Sequence, residues 1–189
     1  MRRLALALAA LLATAGCGGL LFAELEVPSV SVKLLSQSFD GTTPGSPLLK
    51  EIQFDVAEQL PSISDPNVTY ELRLEGLHIH LTSDLSGDPV AADFSAIEEV
   101  RVEVIHPDGT TLPDYEVVHY RRPAGATGPI TEVTAGGRTN IDLGPYILAG
   151  MLRLRATATG GLPSSPWTAD VTGDFYLKIK LDYGAYLKT

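Results

Sequence analysis

Cysteine is nearly absent from this chain: its 189 residues include one, Cys17. A single thiol cannot close an internal disulfide or assemble a thiolate metal cluster. Basic residues are also scarce, 14 Lys and Arg against 23 Asp and Glu, for a net charge of −9. Such a surface repels nucleic acid and anionic lipid head groups while remaining compatible with cationic ligands. Catalytic signatures are missing too. There is no G-x-S-x-G elbow, no Gly-rich phosphate loop, no H-E-x-x-H, and no cysteine outside the N-terminal segment to serve as a nucleophile. No sustained helical period and no repeat of useful length is visible, which excludes bundles and solenoids.

What the chain does contain is alternation. From Trp167 to Tyr183 the odd positions read Trp, Ala, Val, Gly, Phe, Leu, Ile, Leu, Tyr, and the even positions read Thr, Asp, Thr, Asp, Tyr, Lys, Lys, Asp. A period of two over that length predicts one long strand, roughly 55 Å if fully extended, with one dry face and one wet face. Gly173 marks the place where such a strand is expected to bend and pass to another sheet or another part of its own.

The same alternation recurs upstream. Val30, Val32 and Leu34 predict a strand after Pro28, and Ile52, Phe54 and Val56 predict another running to about Ala57. Leu60 to Asn67, with two prolines, reads as a connection. From Val68 to Leu74 the apolar residues are even-numbered; from Leu77 to Leu81 they are odd-numbered. One inserted residue causes that change of phase, so a β-bulge is expected at Glu75-Gly76. Ser95 and Glu98 are spaced as a capping box for a helical turn within 93–99. Strands follow at Val100–Val104 and Glu116–Tyr120, around a Pro107-Asp108-Gly109 turn. Ile130–Val133 and Arg138–Leu143 predict a hairpin about Ala135-Gly136-Gly137, Pro145–Leu148 a helical turn, and Leu152–Ala158 a further strand. About eight or nine strands with at most one or two helical turns make an all-β protein, an antiparallel β-sandwich of immunoglobulin-like or jelly-roll-like kind. A transmembrane barrel uses alternation as well, but paired aromatic girdles are lacking.

The N-terminus carries an address. Arg2 and Arg3 precede an apolar run, Leu4–Leu12, that is too short for a permanent membrane helix, and small residues lead to Cys17. This segment, ending Thr14-Ala15-Gly16-Cys17, resembles bacterial lipoprotein precursors, in which such a lipobox ends at the cysteine that takes a diacylglycerol thioether. The resemblance covers about a tenth of the chain. It implies a signal peptide over 1–16 and a lipidated Cys17 with a short tether over 17–23; length and composition make the remainder, 24–189, a single domain. It also implies a place in the cell envelope, with Gly18 favouring the outer membrane. Thr14 departs from the Leu usual at that position. Cleavage removes two arginines and no acid, so the mature chain is more acidic still. The tether residues Leu20, Leu21 and Phe22 either touch the bilayer interface or pack on the domain.

Candidate chemistry sits on the strands and loops. His78 and His80 form an H-x-H pair whose side chains share one strand face, a spacing suited to two zinc ligands; His106 or His119 would have to supply a third. With Leu77, Ile79 and Leu81 turned to the core, the pair lies on the wet face, where two exposed histidines need no metal. Asp84, Ser86, Asp88 and Asp93 line a Gly-containing loop with hard oxygen ligands for Ca²⁺, although the EF-hand pattern is absent. Arg153 with Arg155, and Lys178 with Lys180, occupy single strand faces and call for acids on neighbouring strands. Tyr176 and the pair Arg121-Arg122 are candidate contacts for an envelope protein partner. The functions consistent with this pattern are a lipid-anchored envelope protein that binds or assembles, a metal-binding protein or metal-dependent hydrolase using His78 and His80, and a carrier that holds an acyl chain in an enclosed cavity.

Overall fold

The alternation at the C-terminal end becomes the strand on which one sheet is built. The computed structural model describes residues 22–54, 68–147 and 152–182. The lipobox with Cys17, the predicted end of the second strand at Val56–Ala57 and Tyr183 lie outside the described residues. So do Leu60 to Asn67, the connection.

Eight strands are described: β1 (Phe22–Phe39), β2 (Leu48–Phe54), β3 (Val68–Leu81), β4 (Ile97–Val104), β5 (Tyr115–Arg121), β6 (Glu132–Gly136), β7 (Leu152–Gly160) and β8 (Trp167–Asp182). They form two four-stranded sheets, ordered β1-β8-β3-β6 and β2-β7-β4-β5. Every pairing is antiparallel. The first strand pairs with the last, the second with the next to last, the third with β6 and the fourth with β5. That is one long hairpin wound around a common core, which is the jelly roll; the strand order thereby selects it over the immunoglobulin alternative.

The core follows from the alternation. The odd residues of β8 from Trp167 to Leu177 are buried, and so are Leu72, Leu74, Leu77 and Ile79 of β3 and Val100, Val102 and Val104 of β4. Each fully buried Val, Leu, Ile or Phe among them contributes roughly 1.5–3 kcal/mol through its removal from water. Aromatic rings fill both halves. Phe39 stacks on Trp167 with centroids 4.0 Å apart, Phe94 meets the same indole edge-on at 5.3 Å, and Phe54 meets Phe175 edge-on at 5.8 Å.

The bulge lies where the phase change places it: the register of β3 on β8 jumps between Leu74 and Gly76. Four other expectations are corrected. β8 does not pass between sheets at Gly173, which pairs with Val32 on one side and Leu77 on the other. Glycine is needed there for space, because a Cβ would lie 2.8 Å from Phe175 Cε2 and 3.3 Å from Phe54 Cε1. β1 starts at Phe22 rather than after Pro28; as the edge strand it tolerates a proline, and the register skips between Val27 and Val30 around it. Ala135 and Gly136 are not a turn but belong to β6, which pairs with β3, and the chain leaves it through a single bridge from Gly137 to Val118. Ser95 caps nothing: Asp93 caps a single 3-10 turn, Phe94–Ala96, by accepting from the Ser95 N–H, and Glu98 already belongs to β4. The expected turn after Pro145 is α1 (Gly144–Ile147).

Candidate functional site

On the outer face of the first sheet, one polar row crosses all four strands. Ser31 of β1 donates to Asp174 Oδ1 of β8 at 2.5 Å. The other oxygen of Asp174 meets His78 Nε2 of β3 at 2.9 Å. His78 Nδ1 lies 3.1 Å from the Thr134 hydroxyl of β6 and 3.5 Å from Glu132 Oε1, and Thr134 donates to the same Glu132 oxygen at 3.2 Å. A carboxylate only accepts, so the contact with Asp174 needs a proton on Nε2, while the single hydroxyl proton of Thr134 can serve Glu132 or His78 Nδ1 but not both. A Cβ at Gly76 would stand 3.6 Å from His78 Nε2 and 3.7 Å from Asp174 Oδ2, ordinary contact distances, so the pair does not itself require glycine at the bulge.

His78 forms a ridge between two open depressions of about 300 and 290 Å³. The second is lined by Lys33, His78, His80, Glu132, Asp170 and Thr172. His80 is exposed and sits in register with Glu132 on one flank and Asp170 on the other. Asp170 is engaged by Lys33 at 3.7 Å and by the Ser36 N–H at 2.9 Å. Neither His106 nor His119 comes to this face. His106 pairs with Asp114 at 2.7 Å, and His119 of β5 pairs with Glu99 of β4 on the other sheet at 2.5 Å. Among the described residues no three His, Cys, Asp or Glu side chains stand together as a ready-made metal site.

The acidic loop uses its carboxylates locally. Asp84 accepts from the Ser86 N–H at 3.0 Å, and Asp93 from the Ser95 N–H. Asp88 accepts from the N–H groups of Val90 and Ala91 in its own loop and from Ser164 and Ser165 in the β7–β8 connection, all within 3.0 Å. These backbone donors, that of Ala91 foremost, hold its carboxyl well below the usual range. Asp88 therefore ties two loops together rather than presenting a free ligand.

The candidate partner residues are not one surface. Tyr176 lies on the first sheet with Arg73 over its ring at 5.6 Å. Arg121 ends β5 in the second sheet, 3.5 Å from Glu99, and Arg122 follows it, its guanidinium on the Ser95 carbonyl. Hydrogen bonds from His119 and then Arg101 pull the Glu99 carboxyl down to about 2. The paired cations found their acids: Arg153 meets Glu51 at 2.9 Å, Arg155 meets Glu103 at 3.9 Å, and Lys178 meets Glu24 at 2.7 Å and Glu26 at 3.2 Å. Those two glutamates raise Lys178 to about 12.

Between the sheets, one apolar cavity of about 30 Å³ is lined by Phe39, Phe94, Trp167 and their neighbours. That is space for a water or two, well short of an alkyl chain. Trp167 is among its lining residues, and its buried indole N–H has no hydrogen-bond partner among the described residues.

Sequence reasoning singled out His78 but missed Ser31, Asp174, Thr134 and Glu132. Each is an ordinary polar residue on a wet strand face, and only the pairing of β3 with both β8 and β6 makes them neighbours.

No protein-family model matches the chain, and no curated protein matches it in sequence. Among solved structures it is similar to a decameric BFDV capsid protein, at 12% identity over 84% of this chain and 99% of that one, with a TM-score of 0.37. It is similar as well to the Tobacco streak virus coat protein, at 10% identity over 80% and 85%, TM-score 0.33. A chain of the infectious bursal disease virus Gx strain structure gives 12% identity over 85% of this chain and 36% of that one, TM-score 0.28. Likeness this slight carries no argument about function, and the assignment of the chain to the all-β, two-sheet jelly rolls rests on its own strand order.

Proposed function

We propose that this is a lipid-anchored protein of the bacterial cell envelope, in the outer membrane by preference, whose sandwich works by binding or assembly rather than by turnover. The observation that carries the reading is the position of the sole cysteine, directly after Thr14-Ala15-Gly16 and behind a charged start and a short apolar run. The fold is compatible with it. β1 begins at Phe22, a few residues past Cys17, opposite the far end of β8 at Asp182, and runs to Phe39 opposite Trp167. Anchored at its first end, a strand of 18 residues reaches up to roughly 60 Å from the bilayer at its other end. That outer end bears the connections β1–β2, β3–β4, β5–β6 and β7–β8. They are joined by backbone bonds such as Thr42 N–H to Pro163 O at 2.9 Å and Phe94 N–H to Ile130 O at 2.8 Å, besides the Asp88 tie. A rigid, membrane-distal cap of this kind suits presentation to a partner.

Growth with a clickable fatty acid tests the reading. The wild-type chain should take the label and Cys17→Ser should not; a labelled Cys17→Ser chain would sink it.

A further inference from the structure

We propose that the groove along β7, on the outer face of the second sheet, is a docking surface for an extended segment of another protein in which apolar and acidic side chains alternate. Strand pairing builds the groove. Leu49 of β2, Thr157 of β7, Arg101 of β4 and His119 of β5 share one row, and Thr159, Glu99 and Arg121 share the next. Threonine is short where Leu49 and Arg101 are long, so a depression of about 310 Å³ opens over β7, lined by Pro47, Glu99, Arg101, Thr157 and Thr159. β2 and β4 flank β7, which sets the walls about 10 Å apart, wide enough for one extended chain.

The two walls differ. One is apolar: Pro47 and, beside it, Leu49, at 66% the most exposed large hydrophobic among the described residues. The other is cationic. A single oxygen of Glu99 receives His119 Nε2 at 2.5 Å, Arg101 Nη2 at 2.9 Å and Arg121 Nε at 3.5 Å. One carboxylate therefore answers two guanidinium groups, and Arg122, at the same end of the sheet, rests on a carbonyl. The neighbouring acids are engaged already, Glu103 by Arg155 and Glu116 by Arg138. Arg121 is 72% exposed and meets Glu99 through Nε alone, so its Nη1–Nη2 fork is open to an incoming carboxylate. In a chain of net charge −9 this local excess of positive charge selects an acidic partner. The Thr157 and Thr159 hydroxyls, free of hydrogen bonds among the described residues, are there for its backbone. An extended segment laid on its edge turns alternate side chains to opposite walls, apolar ones to β2 and acids to β4. An acidic glycan would leave the Leu49 wall unused.

The test is fluorescence anisotropy of a fluorescein-labelled hexapeptide, Leu-Glu-Leu-Glu-Leu-Glu, titrated with the full chain carrying Cys17→Ser. Saturable binding is expected, weakening as NaCl rises from about 0.05 to about 0.5 M. Arg121→Ala and Leu49→Ser should each weaken it at least about fivefold, and serine in place of the probe's leucines or of its glutamates at least about tenfold. Lys180→Ala, on the other sheet, should change nothing. Leu49 and Arg121 are both exposed, so these variants keep the fold, which far-UV circular dichroism and Trp167 fluorescence check. Failure to bind, binding that Arg121→Ala and Leu49→Ser both leave intact, or tighter binding of polygalacturonate than of the peptide would each overturn the assignment. Because Cys17 is absent from the chain tested, such a failure leaves the anchoring reading where it stands.

Discussion

Gly173→Ala is the substitution whose outcome depends most directly on the packing described. The added Cβ would sit 2.8 Å from Cε2 and 3.0 Å from Cζ of Phe175. That ring is fully buried and held edge-on against Phe54, so it has little room to retreat. Overpacking of this kind costs about 1–3 kcal/mol. Restricting the unfolded chain returns about 0.4–1 kcal/mol. The net loss is then about 1–2 kcal/mol, or about 3–6 °C in Tm for a chain of this size. Trp167 is the only tryptophan and is buried against Phe39, so its fluorescence reports urea unfolding without an added probe. Phe175→Leu removes the two ring atoms that the new methyl would strike. In that background Gly173→Ala should cost less, with a coupling of about 1 kcal/mol in a double-mutant cycle. An additive cycle, or a Gly173→Ala chain as stable as wild type, would refute the claim that this glycine serves the Phe175 ring.

Three further outcomes follow from the same contacts. Gly137→Ala brings a Cβ to 2.0 Å from the Leu74 carbonyl oxygen, backbone against backbone, and should cost about 3 kcal/mol or more in urea unfolding. Asp88→Asn should lower Tm by a few degrees at neutral pH and flatten the acid side of the stability profile. Its carboxyl is depressed in the folded chain, so the stabilisation is present above the ordinary aspartate range and is lost as the pH falls below it. Glu99 titrates near 2 when folded against 4.5 as a free side chain, so its stabilisation disappears between about 4.5 and 2; Glu99→Gln should unfold less steeply across that window than wild type.

The layers of the fold were legible where a residue's role depends on its own strand. Burial of the odd residues of β8, the bulge at Glu75-Gly76, and the need of Arg153 and Lys178 for acids all follow from alternation, since a period of two decides which side of a sheet a residue meets. Roles that depend on a distant strand were not legible. Pro28 reads as a strand breaker until β1 is known to be an edge; Ala135-Gly136-Gly137 reads as a turn until β3 is known to pair with it. The row from Ser31 to Glu132 draws one or two polar residues from each of four strands, and no local spacing announces that. His78 was visible only because His80 stood two residues away.

Mass spectrometry of the N-terminal peptide of the protein extracted from bacterial envelopes tests the anchoring most directly. The account predicts a chain that begins at Cys17 and carries the mass of a thioether-linked diacylglycerol. A chain that begins elsewhere, or one whose Cys17 is a free thiol, would contradict it.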